Sequence, residues 1–81
     1  MALFIPNFDL AEKIGEQVEM DVASVDELLR VGVERYGEAF RQASKRASIV
    51  VNGRAVRHLK GGQTRLGKDD TVWFVLPSGG G

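Results

Sequence analysis

Residues 48–57 read SIVVNGRAVR. The β-branched run Ile49-Val50-Val51 meets Asn52-Gly53, the pair best suited to the positive φ angles of a tight hairpin turn. The following AVRHL (55–59) is expected to return as the partner strand. A sheet with a hairpin here is therefore the frame that the rest of the chain has to fit.

The remaining segments sort by their periodicity. Leu3 to Ile5 is a short β-prone run ended by Pro6-Asn7, and Pro6 belongs at an edge or strand end because it cannot donate to a ladder. In EQVEMDV, residues 16–22, Val18, Met20 and Val22 alternate with Glu19 and Asp21, the period of two of a half-buried strand. With Gly15 as its turn, the region 3–22 reads as a hairpin-like pair with a longish connection.

Ser24 opens SVDE, a capping box in which the Ser24 hydroxyl accepts from the Glu27 N–H while Glu27 reaches back to Ser24. Val25, Leu28, Leu29, Val33 and Tyr36 form one apolar helical stripe, with Gly37 as the first plausible stop. Gly32 inside this helix costs up to about 1 kcal/mol relative to alanine. Residues 38–46 continue either as a helical turn or as irregular structure, with Phe40 packed inward. KGGQTRLGKDD (60–70) is a loop. TVWFVLP (71–77) is a last strand with Val72, Phe74 and Leu76 on one face and Trp73 and Val75 on the other.

An early helix and four or five strands predict an α+β fold, a roll with a mixed sheet over one main helix. Two N-terminal strands, a crossover helix and a last strand returning to the sheet centre is the β-grasp arrangement of ubiquitin. A right-handed crossover places the first and last strands side by side and parallel. The expected division is a domain over 1–76 and a flexible glycine tail over 77–81.

Composition narrows the functional classes. The 81 residues suit one domain. The absence of cysteine excludes disulfides, thiolate metal sites and thiol catalysis by this chain, and with His58 the lone histidine no metal site is expected. No segment reads as a signal peptide or membrane span, so the expected location is the cytoplasm. Net charge is zero, yet residues 1–38 hold nine acids against three bases and residues 39–81 hold eight bases against two acids. That balance argues against a general nucleic-acid binder and fits a dipolar surface able to orient a protein partner, or simply two solvated regions.

From residue 49 onward the sequence resembles the ubiquitin-like sulfur carriers of the MoaD/ThiS type, which serve molybdopterin, thiamine and cysteine biosynthesis. Their pattern runs VNG-x-x-(I/V)-R, then GL-x-T-x-L-x-(D/G)-D-x-V, a hydrophobic strand and a final GG. Asn52, Gly53, Val56, Arg57, Gly61, Thr64, Leu66, Asp70, Val72, Gly80 and Gly81 stand in register with it. Ile5-Pro6 and KIG (13–15) are also typical. Gly62 stands where leucine is common, Asp69-Asp70 replaces Gly-Asp, and the tail reads Pro-Ser-Gly-Gly-Gly.

The resemblance implies that the chain is a carrier, not itself an enzyme, and that its reactive group is the carboxylate of Gly81. An E1-like adenylyltransferase would join that carboxylate to AMP using ATP, and a sulfur donor would displace AMP to leave a thiocarboxylate. A sulfur-accepting biosynthetic enzyme would receive the sulfur. No cofactor stays bound. Gly79 and Gly80 would pass through the partner's narrow site, since glycine gives the thinnest chain. Pro77 to Gly81 reach about 17 Å when extended.

The partner must also grip the domain. Trp73 and Val75 are expected on an exposed sheet face with Phe4 as a neighbour, an apolar patch of the kind that marks interfaces. Arg54, Arg57, Lys60, Arg65 and Lys68 could steer an acidic partner or form a solvated rim. Two other classes compete. One is a protein modifier conjugated through Gly81. The other is a small RNA-binding module, which Asp26, Glu27, Glu34 and Glu38 on the presumptive helix disfavour by repelling phosphates.

Overall fold

The computed structural model describes residues 1–76. The expectations that fall on Gly79, Gly80 and Gly81 lie outside the described residues. The described residues form eight helices and strands: β1 (Ala2–Ile5), α1 (Phe8–Ile14), β2 (Val18–Met20), α2 (Val25–Tyr36), α3 (Glu38–Arg46), β3 (Ser48–Val51), β4 (Arg54–Ala55) and β5 (Thr71–Val75), with short 3₁₀ turns at Val56–His58 and Gly61–Gln63.

The strands form one mixed sheet in the order β2-β1-β5-β3-β4. Only β1 and β5 run parallel, with Phe4 opposite Val72 and Ile5 opposite Trp73. The last strand thus returns to the centre of the sheet beside the first, as a right-handed crossover requires. This is the ubiquitin-like β-grasp fold.

The helices cover one sheet face. Alternation along β1 and β5 sends Ala2, Phe4, Val72 and Phe74 inward to meet Val25 and Leu28 of α2 and Phe40 of α3. Three phenyl rings centre this core: Phe4 lies 4.7 Å from Phe74 and 5.4 Å from Phe40, and Phe40 lies 5.3 Å from Phe74. Each fully buried ring contributes about 1.5–3 kcal/mol through removal of its surface from water.

The start of α2 follows the expected capping chemistry with one shift. Ser24 Oγ accepts from the Glu27 N–H at 3.2 Å, but the Glu27 carboxylate reaches one residue further back, accepting from the Ala23 N–H at 2.6 Å. Gly37 closes α2 with φ 73° and its N–H bonded to the Val33 carbonyl.

Four local expectations change. The connection between β1 and β2 contains α1, which buries Leu10 and packs Ile14 against the core one turn later. Residues 38–46 form a helix of their own, α3, which buries Phe40. The return strand after Asn52-Gly53 ends at Ala55, because the chain must leave the sheet edge and cross to the start of α2. There the Leu66 N–H donates to the Ala23 carbonyl and the Thr64 carbonyl accepts from the Val25 N–H. Leu76 lies one residue past β5 and is 37% exposed, not on the core face.

Candidate partner-binding face and the exit of the tail

The hairpin turn is built as its sequence requires: Asn52 has φ 50° and Gly53 φ 88°. Asn52 does more than turn the chain. Its Nδ2 donates to Asp70 Oδ1 at 2.8 Å, its Oδ1 accepts from the Thr71 N–H at 3.0 Å, and its own N–H donates to the Thr71 carbonyl at 3.0 Å. The Gly67 N–H donates to the other Asp70 oxygen at 2.7 Å, and the Leu3 N–H donates to the Asp70 carbonyl at 2.9 Å. The Gly67 and Asn52 donors hold the Asp70 carboxyl below its ordinary value, because both favour the charged form. This cluster ties the first residue of β5 to β1 and to the hairpin, fixing the register of the strand that leads to the tail.

Register decides what the open sheet face presents. Pairing across the strands aligns Ile5, Trp73, Val50 and Ala55 in one row, with Val75 opposite Ser48 alongside. Trp73 is 42% exposed and Val75 46%. Trp73, Val75, Val50, Thr71, Asn52 and Gly53 line one shallow depression. Among the described residues no helix covers this face, and an apolar row in the middle of the sheet is left open.

Phe4 is not part of that row. It is fully buried, because its place opposite Val72 turns the ring to the helical side. Ile5 holds the position beside Trp73 that was expected of Phe4. Ile5 and Val50 stand in continuous apolar runs that do not distinguish one face from the other, and only the register places them next to Trp73. Arg54 and Arg57 are exposed at the far edge of the sheet, on β4 and the turn after it, with β3 between them and Trp73. The basic residues therefore lie beyond one end of the apolar row, not clustered with Trp73 inside it. Lys60, Arg65 and Lys68 are likewise exposed, in the loop between β4 and β5.

At the other end of β5, Leu76 borders a groove between α1 and α3 whose walls include Leu10, Lys13, Ala39, Ala43 and Arg46. Leu76, the last described residue, follows directly after the central strand. The central strand β5 is hydrogen-bonded on both sides, to β1 and β3, and has an open apolar face on one side.

Comparison with known proteins follows the same line. A search of curated proteins gave no match. Among solved structures, the solution structure of small archaeal modifier protein 1 from Methanosarcina acetivorans is similar over 99% of this chain and 95% of that chain, with a TM-score of 0.82 and 21% sequence identity. At that identity the likeness is one of fold. The family model of the ThiS family matches residues 7–81, from the N-cap of α1 through the final glycine. The chain belongs to the ThiS family.

Proposed function

We propose that this protein is a sulfur carrier whose working group is the C-terminal carboxylate of Gly81. The observation that carries the reading is the family match extending through the glycine end, on a fold that leads its central strand into that end. An E1-like enzyme supplies the activation. A Gly81 carboxylate oxygen attacks the α-phosphorus of ATP, pyrophosphate leaves, and an acyl adenylate forms. A sulfur donor then attacks the carbonyl carbon, AMP departs with the bonding electrons, and a thiocarboxylate remains. The carbonyl is activated only while it carries AMP, which is the logic of covalent group transfer.

In this reading the open row around Trp73 is the surface that the activating enzyme holds while the tail enters its site. Burial of a central aromatic anchor suits such a contact. The domain supplies binding and direction, and the partners supply catalysis. The receiving partner is a biosynthetic enzyme that uses the sulfur.

A second reading is conjugation to other proteins through the same carboxylate, favoured by the likeness to a protein named as a modifier. The first step is shared. In the carrier, hydrosulfide accepts the acyl group and becomes the sulfur of the thiocarboxylate; in the modifier, a lysine amine ultimately accepts it. The discriminating experiment is ATP–pyrophosphate exchange with the E1-like partner, followed by supply of a sulfur donor or of lysine-bearing acceptor proteins. Exchange lost on deletion of Gly81, and thiocarboxylate formed from the sulfur donor, support the carrier. Isopeptide products without thiocarboxylate support the modifier.

A further inference from the structure

Strand β2 is the outer strand of the sheet and, among the described residues, pairs only with β1. The register fixes which of its backbone groups that pairing uses. The Leu3 N–H donates to the Asp70 carbonyl, on the β5 side of β1. Successive residues of a strand direct their backbone groups to alternate sides, so Ala2 and Phe4 direct theirs to β2. Their partners are Met20 and Val18, whose groups answer toward β1. Glu19, between them and opposite Leu3, directs its N–H and carbonyl away from the sheet. No strand lies on that side among the described residues, so Glu19 offers a donor and an acceptor at a sheet edge.

The side chains alternate as well. Val18 and Met20 lie on the helical face, half-buried and buried, while Glu19 is exposed on the open face. Glu16 and Asp21 flank the strand and are also exposed. Residues 14–29 contain five aspartates and glutamates and no lysine or arginine. Among the described residues none of Glu16, Glu19 and Asp21 is ion-paired. Pairing of this edge with the same edge of a second copy, about a two-fold axis, would set Glu19 against Glu19, and like charges directly opposite are destabilising. The same carboxylate favours a strand that carries a lysine or arginine at that place.

We propose that the outer edge of β2 is a docking site for an extended, basic segment of a partner protein. The segment adds beside Glu19 as a short strand. The residue that exchanges backbone hydrogen bonds with Glu19 is a lysine or arginine on the open face, and its two neighbours are apolar and turn toward Val18 and Met20. Main-chain pairing supplies affinity in such strand addition, and the charges supply selectivity. Strand β1 stands between this edge and Trp73, so the site is separate from the apolar row and does not depend on the chemistry of the tail.

The test uses a fluorescein-labelled synthetic peptide of about nine residues alternating valine and lysine, a length typical of one strand plus its flanks. Binding is read by anisotropy and by backbone amide shifts of the full chain. The expected result is saturable binding with the largest shifts and new exchange protection at the Glu19 amide. Glu19→Lys should weaken it about tenfold or more, as loss and reversal of a charge-assisted contact would. The same charge change at Glu34 on α2 should leave affinity within about twofold, which separates a local contact from net charge. A peptide N-methylated at its lysines keeps its charge but loses the donors that face β2, and should also bind about tenfold or more weakly. Absence of binding overturns the proposal. So does binding that leaves the Glu19 amide unchanged, that shifts Trp73 and Val75 instead, that survives N-methylation, or that falls equally in the Glu19 and Glu34 variants. Protection of the Glu19 amide that rises with protein concentration alone would assign the edge to a second copy and overturn it too.

Discussion

Gly32 on α2 faces the ring of Phe40 on α3 with no room for a β-carbon between them; an added methyl group would overlap the ring. A glycine in mid-helix is explained by this approach. It lets α3 bring Phe40 into the cluster with Phe4 and Phe74. Gly32→Ala would gain about 1 kcal/mol of helix propensity but incur overpacking that typically costs about 1–3 kcal/mol. The expected net effect is a loss of up to about 2 kcal/mol in urea unfolding. In a Phe40→Leu background the same alanine should be neutral or stabilising, and stabilisation in both backgrounds would contradict the packing explanation.

The Asp70 cluster makes a prediction in pH. Its carboxyl is held below its ordinary value in the fold, so its stabilising contribution is complete above the unfolded value of about 3.9 and disappears as pH falls through the folded value. Asp70→Asn, which gives up the charge accepting from Gly67 and Asn52, should cost about 1 kcal/mol at neutral pH. The gap between the two proteins should close on acidification below about pH 4. Urea midpoints measured across that range check it; a gap independent of pH would show that the ionised carboxylate is not what stabilises the turn.

Trp73 should matter for partnership and little for folding. With 42% of its surface exposed and no helix against it, Trp73→Ala opens no cavity in the core. Thermal unfolding is expected to change by less than about 1 kcal/mol, while kcat/KM for activation by the E1-like partner falls about tenfold or more, the usual effect of removing a central aromatic anchor. An unchanged kcat/KM would mean that the partner grips another surface.

Local patterns revealed much of this fold before any coordinate did. The β-branched run and Asn52-Gly53 marked the hairpin, and Ser24 with Glu27 marked the start of α2. The return of the last strand beside the first followed from the handedness of crossovers. What escaped was decided by contacts between distant segments. Phe4 and Ile5 are neighbours on one short strand, and only the parallel register with β5 determines which of them faces the core; a slip of one residue exchanges the faces. Helix α1 spans only seven residues. Its signals were Asn7 at the cap, Leu10 and Ile14 one turn apart, and Gly15 at the end, a pattern too short to stand without the core beneath it. The fold sets Gly62 against the Asp26 carboxylate, where a β-carbon would collide. That contact lies between the loop and α2 and leaves no trace in either segment alone.

Reactivity at the chain's last carbon is most directly tested by intact mass. The protein is incubated with its E1-like enzyme, ATP and a sulfide donor, and in parallel a chain lacking Gly81 is treated identically. Exchange of one carboxylate oxygen for sulfur adds about 16 Da to the full chain, and the truncated chain, folded by circular dichroism, should gain nothing. A full chain whose mass does not change, or a truncated chain that gains the same increment, would contradict the assignment of Gly81 as the sulfur-bearing residue.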